Sequence, residues 1–94
     1  MKAHILVLDD DVVACEFLRE ALERDGYGVD VYTAATDALE QDLGQYDLLI
    51  SDIRMPEMDG LQFLNEVRNR WPDLPVILMT AYGSLETTMD ALRQ

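Results

Sequence analysis

The stretch Tyr46-Asp47-Leu48-Leu49-Ile50-Ser51-Asp52-Ile53-Arg54-Met55-Pro56-Glu57-Met58-Asp59-Gly60 runs from an apolar segment of strand length directly into a loop that contains proline and glycine. Tyr46 to Asp52 is predicted to form a buried strand, so Asp52 stands on a rigid support with its carboxylate at a strand end. Asp9-Asp10-Asp11 closes another apolar run, Ile5-Leu6-Val7-Leu8, in the same way. Two strands that both end in carboxylates predict one shared acidic pocket.

Outward from these two runs, apolar segments of strand length alternate with segments of helical spacing, the pattern of a parallel sheet covered by helices. Strands are expected at His4 to Asp9, Val29 to Thr33, Tyr46 to Asp52 and Pro75 to Thr80, with helices at about residues 12 to 25, 35 to 43, 60 to 70 and 84 to 93. Apolar residues three and four apart give each helix a stripe: Ala14, Leu18 and Leu22 beside Val13, Phe17 and Ala21, then Ala35, Leu39 and Leu43, then Leu61, Leu64 and Val67, then Leu85, Met89 and Leu92. Asp11, Asp59 and Ser84 can accept bonds from the free amides of a first helical turn, while Gly26, Gly44 and Trp71-Pro72 end helical stretches. Right-handed crossovers leave few topologies, and a doubly wound α/β sheet ordered 2-1-3-4 brings Asp9, Asp10 and Asp52 to the crevice where the strand order reverses.

The chain has 94 residues and 49% hydrophobic content, which fits one small domain. Seven basic residues against 19 acidic ones leave a net charge of -12, a field that repels phosphate and argues against direct binding to nucleic acid or to an anionic membrane. A metal cation or a basic protein surface suits it better. Cys15 is the lone cysteine and, among Val12, Val13, Ala14 and Phe17, is expected to be a small buried hydrophobe. His4 has no second nitrogen or sulfur ligand spaced near it and is expected to be structural or exposed. No apolar stretch approaches the roughly 20 residues a membrane span needs, and Met1-Lys2-Ala3-His4 leads into a strand without a signal-peptide core, so the expected location is the cytoplasm.

Two carboxylates 4 Å apart repel by about 1 kcal/mol in water and about 4 kcal/mol at an effective dielectric of 20, so an acidic trio calls for a cation. Oxygen ligands favour a hard ion such as Mg2+, or Mn2+ in its place. A cation beside a fixed carboxylate suits phosphoryl transfer, with Asp52 as the nucleophile. Pro56 and Gly60 restrain the backbone around Asp52 and could aim the carbonyl of Arg54 at the metal. Thr80 closes the run Val76-Ile77-Leu78-Met79, where its hydroxyl could reach a phosphoryl oxygen, and Ala81-Tyr82-Gly83 forms a flexible link after it.

Asp9-Asp10, Asp52 within Ser51 to Gly60, and Met79-Thr80-Ala81 together resemble the receiver domain of two-component response regulators, over Lys2 to Gln94. The wording of Ser51 to Gly60 and of Thr80 to Ser84 is most similar to receivers of enhancer-dependent transcription activators. The resemblance implies a flavodoxin-like fold in which Asp52 takes a phosphoryl group from a sensor histidine kinase. It also implies that Asp10, Asp52 and the Arg54 carbonyl hold Mg2+, that Asp9 acts through a water, and that Thr80, with Tyr82, reads the phosphoryl group as a switch. The resemblance further implies a phosphoacceptor signalling domain rather than an enzyme, with a DNA-binding or ATPase output domain on the parent chain.

Receivers continue into a fifth strand ending in Lys-Pro and a fifth helix, whereas this chain stops at Gln94 with Lys2 as its sole lysine. The resemblance therefore implies one receiver domain over residues 1–94, truncated at its carboxyl end and without the phosphoryl-contacting lysine. Its last strand would present an apolar edge able to pair two copies into a homodimer. Two other readings compete. Asp9-Asp10-Asp11-Val12-Val13 is also similar to the motif of haloacid-dehalogenase-type phosphatases, with Asp9 as nucleophile, and the fold could serve as a phosphorylation-independent interaction module.

Overall fold

A computed structural model describes residues 2–52 and 60–79. Strands β1 (His4–Leu8), β2 (Gly28–Tyr32), β3 (Leu48–Asp52) and β4 (Val76–Met79) form one parallel sheet in the order β2-β1-β3-β4. Helices α1 (Val12–Arg24), α2 (Ala35–Leu39) and α3 (Gly60–Arg70) make the crossovers. The expected helix at 84 to 93, the caps Asp59 and Ser84, and Arg54, Pro56, Thr80 and Tyr82 lie outside the described residues.

The side-chain period of two sorts each strand between two apolar layers. Leu6, Leu8 and Leu49 pack with Ala35, Ala38, Leu43, Phe63 and Val67 of the segments on one face. Ile5, Val7 and Ile50 pack with Cys15, Leu18 and Leu22 of α1 on the other. Right-handed crossovers account for this division: the chain steps one way from β1 to β2 and the opposite way from β2 to β3 and β3 to β4, so among the described residues α1 is the one helix on its side. Each buried Leu, Val or Phe contributes roughly 1.5–3 kcal/mol.

Local capping sets the ends of α1. Asp11 accepts from the amides of Val13 at 2.9 Å and Ala14 at 3.4 Å. At the other end Gly26, with φ of 95°, lets its own amide reach the carbonyl of Glu23 and that of Tyr27 reach Leu22, a glycine-dependent stop.

Three expectations change. The helix expected to reach Leu43 stops at Leu39, because Asp42 begins a separate 3-10 turn by accepting from Gly44 at 3.0 Å, held also by the Trp71 indole at 3.3 Å. Leu43 still fills the core, from that turn. The third strand begins at Leu48, since Tyr46 ends the turn and turns its hydroxyl to Asp30 at 2.7 Å. The α1 stripe is narrower than its spacing predicts: Cys15, Leu18 and Leu22 face the sheet, while Val13 and Phe17 are 77% and 72% exposed. His4 is structural, its Nε2 lying 3.2 Å from Asp30.

Candidate functional site

Asp9 follows β1 and Asp52 ends β3, neighbouring strands in register from Ile5 opposite Leu48 to Leu8 opposite Ser51. Alternation places Asp9 on the same face as Ile5 and Val7, and Asp52 on the same face as Ile50. Both carboxylates therefore emerge on the α1 side, at the point where one crossover leaves toward β2 and the next leads toward β4. That reversal is where ligand crevices form in open α/β sheets. Asp10 is exposed beyond the strand end, and one carboxylate oxygen from each of Asp9, Asp10 and Asp52 lies within 4.8 Å of the other two.

Asp9 is held at three points, two by the start of α1 and one by the end of β2. The Asp11 amide donates to its Oδ1 at 2.9 Å, the Cys15 thiol donates to its carbonyl at 3.2 Å, and its own amide donates to the carbonyl of Tyr32 at 3.1 Å. Burial pushes the Asp9 carboxyl pKa up, the Asp11 amide partly offsets this, and the charges of Asp52 and Asp10 push it up again. A buried carboxyl under that pressure is a group short of positive charge. Three oxygen donors with no nitrogen or sulfur among them fit a hard divalent cation.

The acidic group opens onto a cavity of about 460 Å3, walled by Val13, Ala14, Phe17 and Leu18 of α1 and by Met79 of β4. The crevice is polar at its floor and apolar at its wall. Of the residues expected at the site, Asp9, Asp10 and Asp52 come together, and Gly60 opens α3. Lys2 precedes β1, at the opposite end of that strand from Asp9.

Sequence reasoning missed two supports. Cys15 was expected to be buried, and it is, but its bond to the Asp9 carbonyl had no signal in the sequence. Ser51 is fully buried and donates to the carbonyl of Asp52 at 3.1 Å. A polar residue interrupting the run Leu48-Leu49-Ile50 was the available clue.

The response regulator receiver domain family matches residues 5–94. The chain belongs to that family. Receiver domains are phosphoacceptors of two-component signalling, which is the function class of this chain. Among similar proteins, the transcriptional regulatory protein ZraR of Escherichia coli K12 is 44% identical over 90 residues, 95% of this chain and 20% of that protein. The DNA-binding transcriptional regulator NtrC of Proteus hauseri is 39% identical over 94 residues, 99% of this chain and 20% of its own length. The receiver domain thus spans about a fifth of the curated relatives it matches, and they are transcription regulators, the branch its loop wording resembles. A receiver domain protein from Clostridium thermocellum superposes with a TM-score of 0.89 at 30% identity, covering 97% of this chain and 75% of that one.

Proposed function

We propose that Asp52 is the phosphoacceptor of this receiver domain and that Asp9 and Asp10 hold the divalent cation that phosphorylation requires. The single observation that carries this reading is the convergence of the three carboxylates at the reversal point of the sheet. An oxygen of Asp52 attacks the phosphorus of a histidine kinase's phosphohistidine in line. The phosphorus–nitrogen bond breaks, its electron pair stays on the imidazole, and that nitrogen takes up a proton. The products are an aspartyl phosphate and free histidine.

When bound, Mg2+ or Mn2+ neutralises charge on the transferring group. Asp10 and Asp52 would supply carboxylate oxygens to it and the Arg54 carbonyl a further ligand, with Asp9 acting through a water. The Asp11 amide and the Cys15 thiol keep Asp9 oriented toward the site. Thr80 and Tyr82 form the switch that reads the new charge, with Pro56 and Gly60 shaping the loop that carries Arg54; these roles rest on the match of the motifs around them.

The proposal extends to the whole molecule. Residues 1–94 form one receiver domain, acting in the cytoplasm as a signalling domain rather than as an enzyme. Its partners are a sensor histidine kinase and a DNA-binding or ATPase output domain on the parent chain, with pairing into a homodimer and no direct contact with nucleic acid or membrane. The net charge of -12 supports the last point.

Incubation with acetyl phosphate and Mg2+, followed by mapping of the hydroxylamine-sensitive phosphate, tests the central role. Label on Asp52, lost in Asp52→Asn and in excess chelator, is the expected result. Label on Asp9 would instead support the phosphatase reading, and partner binding indifferent to Asp52→Asn would support the interaction module.

A further inference from the structure

We propose that Ser51 is a positioning residue for phosphoryl transfer, holding the backbone of Asp52 in the conformation that aims its carboxylate into the acidic crevice. This rests on Asp52 being the phosphoacceptor. Ser51 is paired with Leu8 of β1 and Leu78 of β4, and alternation turns its side chain to the face of Leu49, away from the crevice. It is fully buried there, in a layer otherwise built from Leu6, Leu8, Leu49 and Phe63. Its hydroxyl can reach the site only through the main chain.

The bond it makes does so. Ser51 Oγ donates to the carbonyl oxygen of the next residue, Asp52, at 3.1 Å. The ring closed by that bond contains both the N–Cα and the Cα–C bonds of Asp52. Rotation about either one, which would swing the Asp52 Cβ away from Asp9 and Asp10, stretches or breaks it. A valine or isoleucine would suit a central parallel strand better, so a hydroxyl here is explained by the restraint it applies rather than by packing. The restraint acts at the last residue of β3, which is in register with Met79 of β4.

The test is the rate of phosphoryl uptake by the full chain from saturating acetyl phosphate with Mg2+, at a temperature well below every melting midpoint. Ser51→Ala should lower the rate constant by about tenfold, the scale expected when a reacting group loses its alignment, with little change in the donor concentration giving half-maximal rate. Val67→Ala, a cavity in the same apolar layer but remote from Asp52, controls for stability and should keep the wild-type rate. Ser51→Cys, of similar volume but a weaker donor, should fall between serine and alanine, and it carries the test if the alanine variant does not fold.

A Ser51→Ala or Ser51→Cys protein reacting at the wild-type rate, or Val67→Ala losing as much as either, would overturn the role of Ser51 while leaving Asp52 as acceptor. Wild-type protein that takes up no phosphoryl group on Asp52 would overturn both.

Discussion

The main-chain amide of Asp11 donates to Oδ1 of Asp9 at 2.9 Å, while the Asp11 carboxylate caps α1 through Val13 and Ala14. One residue therefore ties the acidic pocket to the start of the helix that walls it. The pocket's negative charge is concentrated, with one oxygen of each of Asp9, Asp10 and Asp52 within 4.8 Å of the others.

That concentration carries a stability cost when no cation is bound. Burial, then the charges of Asp52 and Asp10, raise the Asp9 pKa above its ordinary 3.8. A raised carboxyl pKa stabilises the fold below the ordinary value, and the benefit is lost as pH rises through the folded-state value. At neutral pH, Asp52→Asn should thus stabilise the metal-free protein by about 1 kcal/mol, the scale of one relieved repulsion. Urea unfolding at pH 7 in chelator measures it, and the gain should shrink in saturating Mg2+. An Asn variant no more stable than wild type in chelator would contradict the electrostatic account.

Removing the cap separates the two jobs of Asp11. Asp11→Ala should cost about 1 kcal/mol, since the amides of Val13 and Ala14 lose their acceptor. For a domain of this size that is a fall of about 4–8 °C in the melting midpoint. The main-chain amide that holds Asp9 survives the substitution. Calorimetric titration with Mg2+ should therefore show affinity close to wild type, and a large loss would mean that the Asp11 carboxylate itself takes part in the site.

At the far end of α1, Gly26 adopts φ of 95° with nothing within 4 Å of where a Cβ would stand. Gly26→Ala should then cost about 1–2 kcal/mol from backbone conformation alone. Denaturant unfolding with an unchanged m-value is the expected readout, because no core contact is disturbed.

The Cys15 thiol is fully buried, and burial, reinforced by the Asp9 charge, pushes its pKa up to about 11. Native protein should react with a thiol reagent at pH 8 far more slowly than urea-unfolded protein. Because the folded value is the raised one, the thiol's contribution to stability is full below pH 9 and lost as pH rises toward 11. Cys15→Ala, compared with wild type between pH 8 and 10.5, should show a smaller decline in stability. Rapid labelling of the native thiol would show that α1 opens readily from the sheet.

Much of this architecture is legible because its causes are local. Leu6 beside Val7 and Leu49 beside Ile50 show two buried strand faces, Asp11 starts a helix, and Gly26 ends one. The early end of α2 is not legible in the same way. It depends on Trp71, 29 residues further on, reaching back to Asp42 and supporting a turn that competes with the helix. The exposure of Val13 and Phe17 also escapes spacing arguments, since only the crossover geometry leaves α1 without a neighbouring helix on its face among the described residues.

By itself, then, the sequence determined the order of strands and helices, their principal start and stop signals, and the presence of carboxylates at two strand ends, because period, capping and turn chemistry act over a few residues. The meeting of Asp9, Asp10 and Asp52 follows from those strand ends once the strand order is 2-1-3-4, whereas tertiary structure alone decided that the Cys15 thiol and the Asp11 amide hold Asp9 in place and that Ser51 is sealed into the opposite layer with its hydroxyl on the Asp52 carbonyl. Those facts come from the pairing of β1 with β3 across β2, α1 and α2. Parallel register between segments so far apart in the chain is set by the packing of both faces at once.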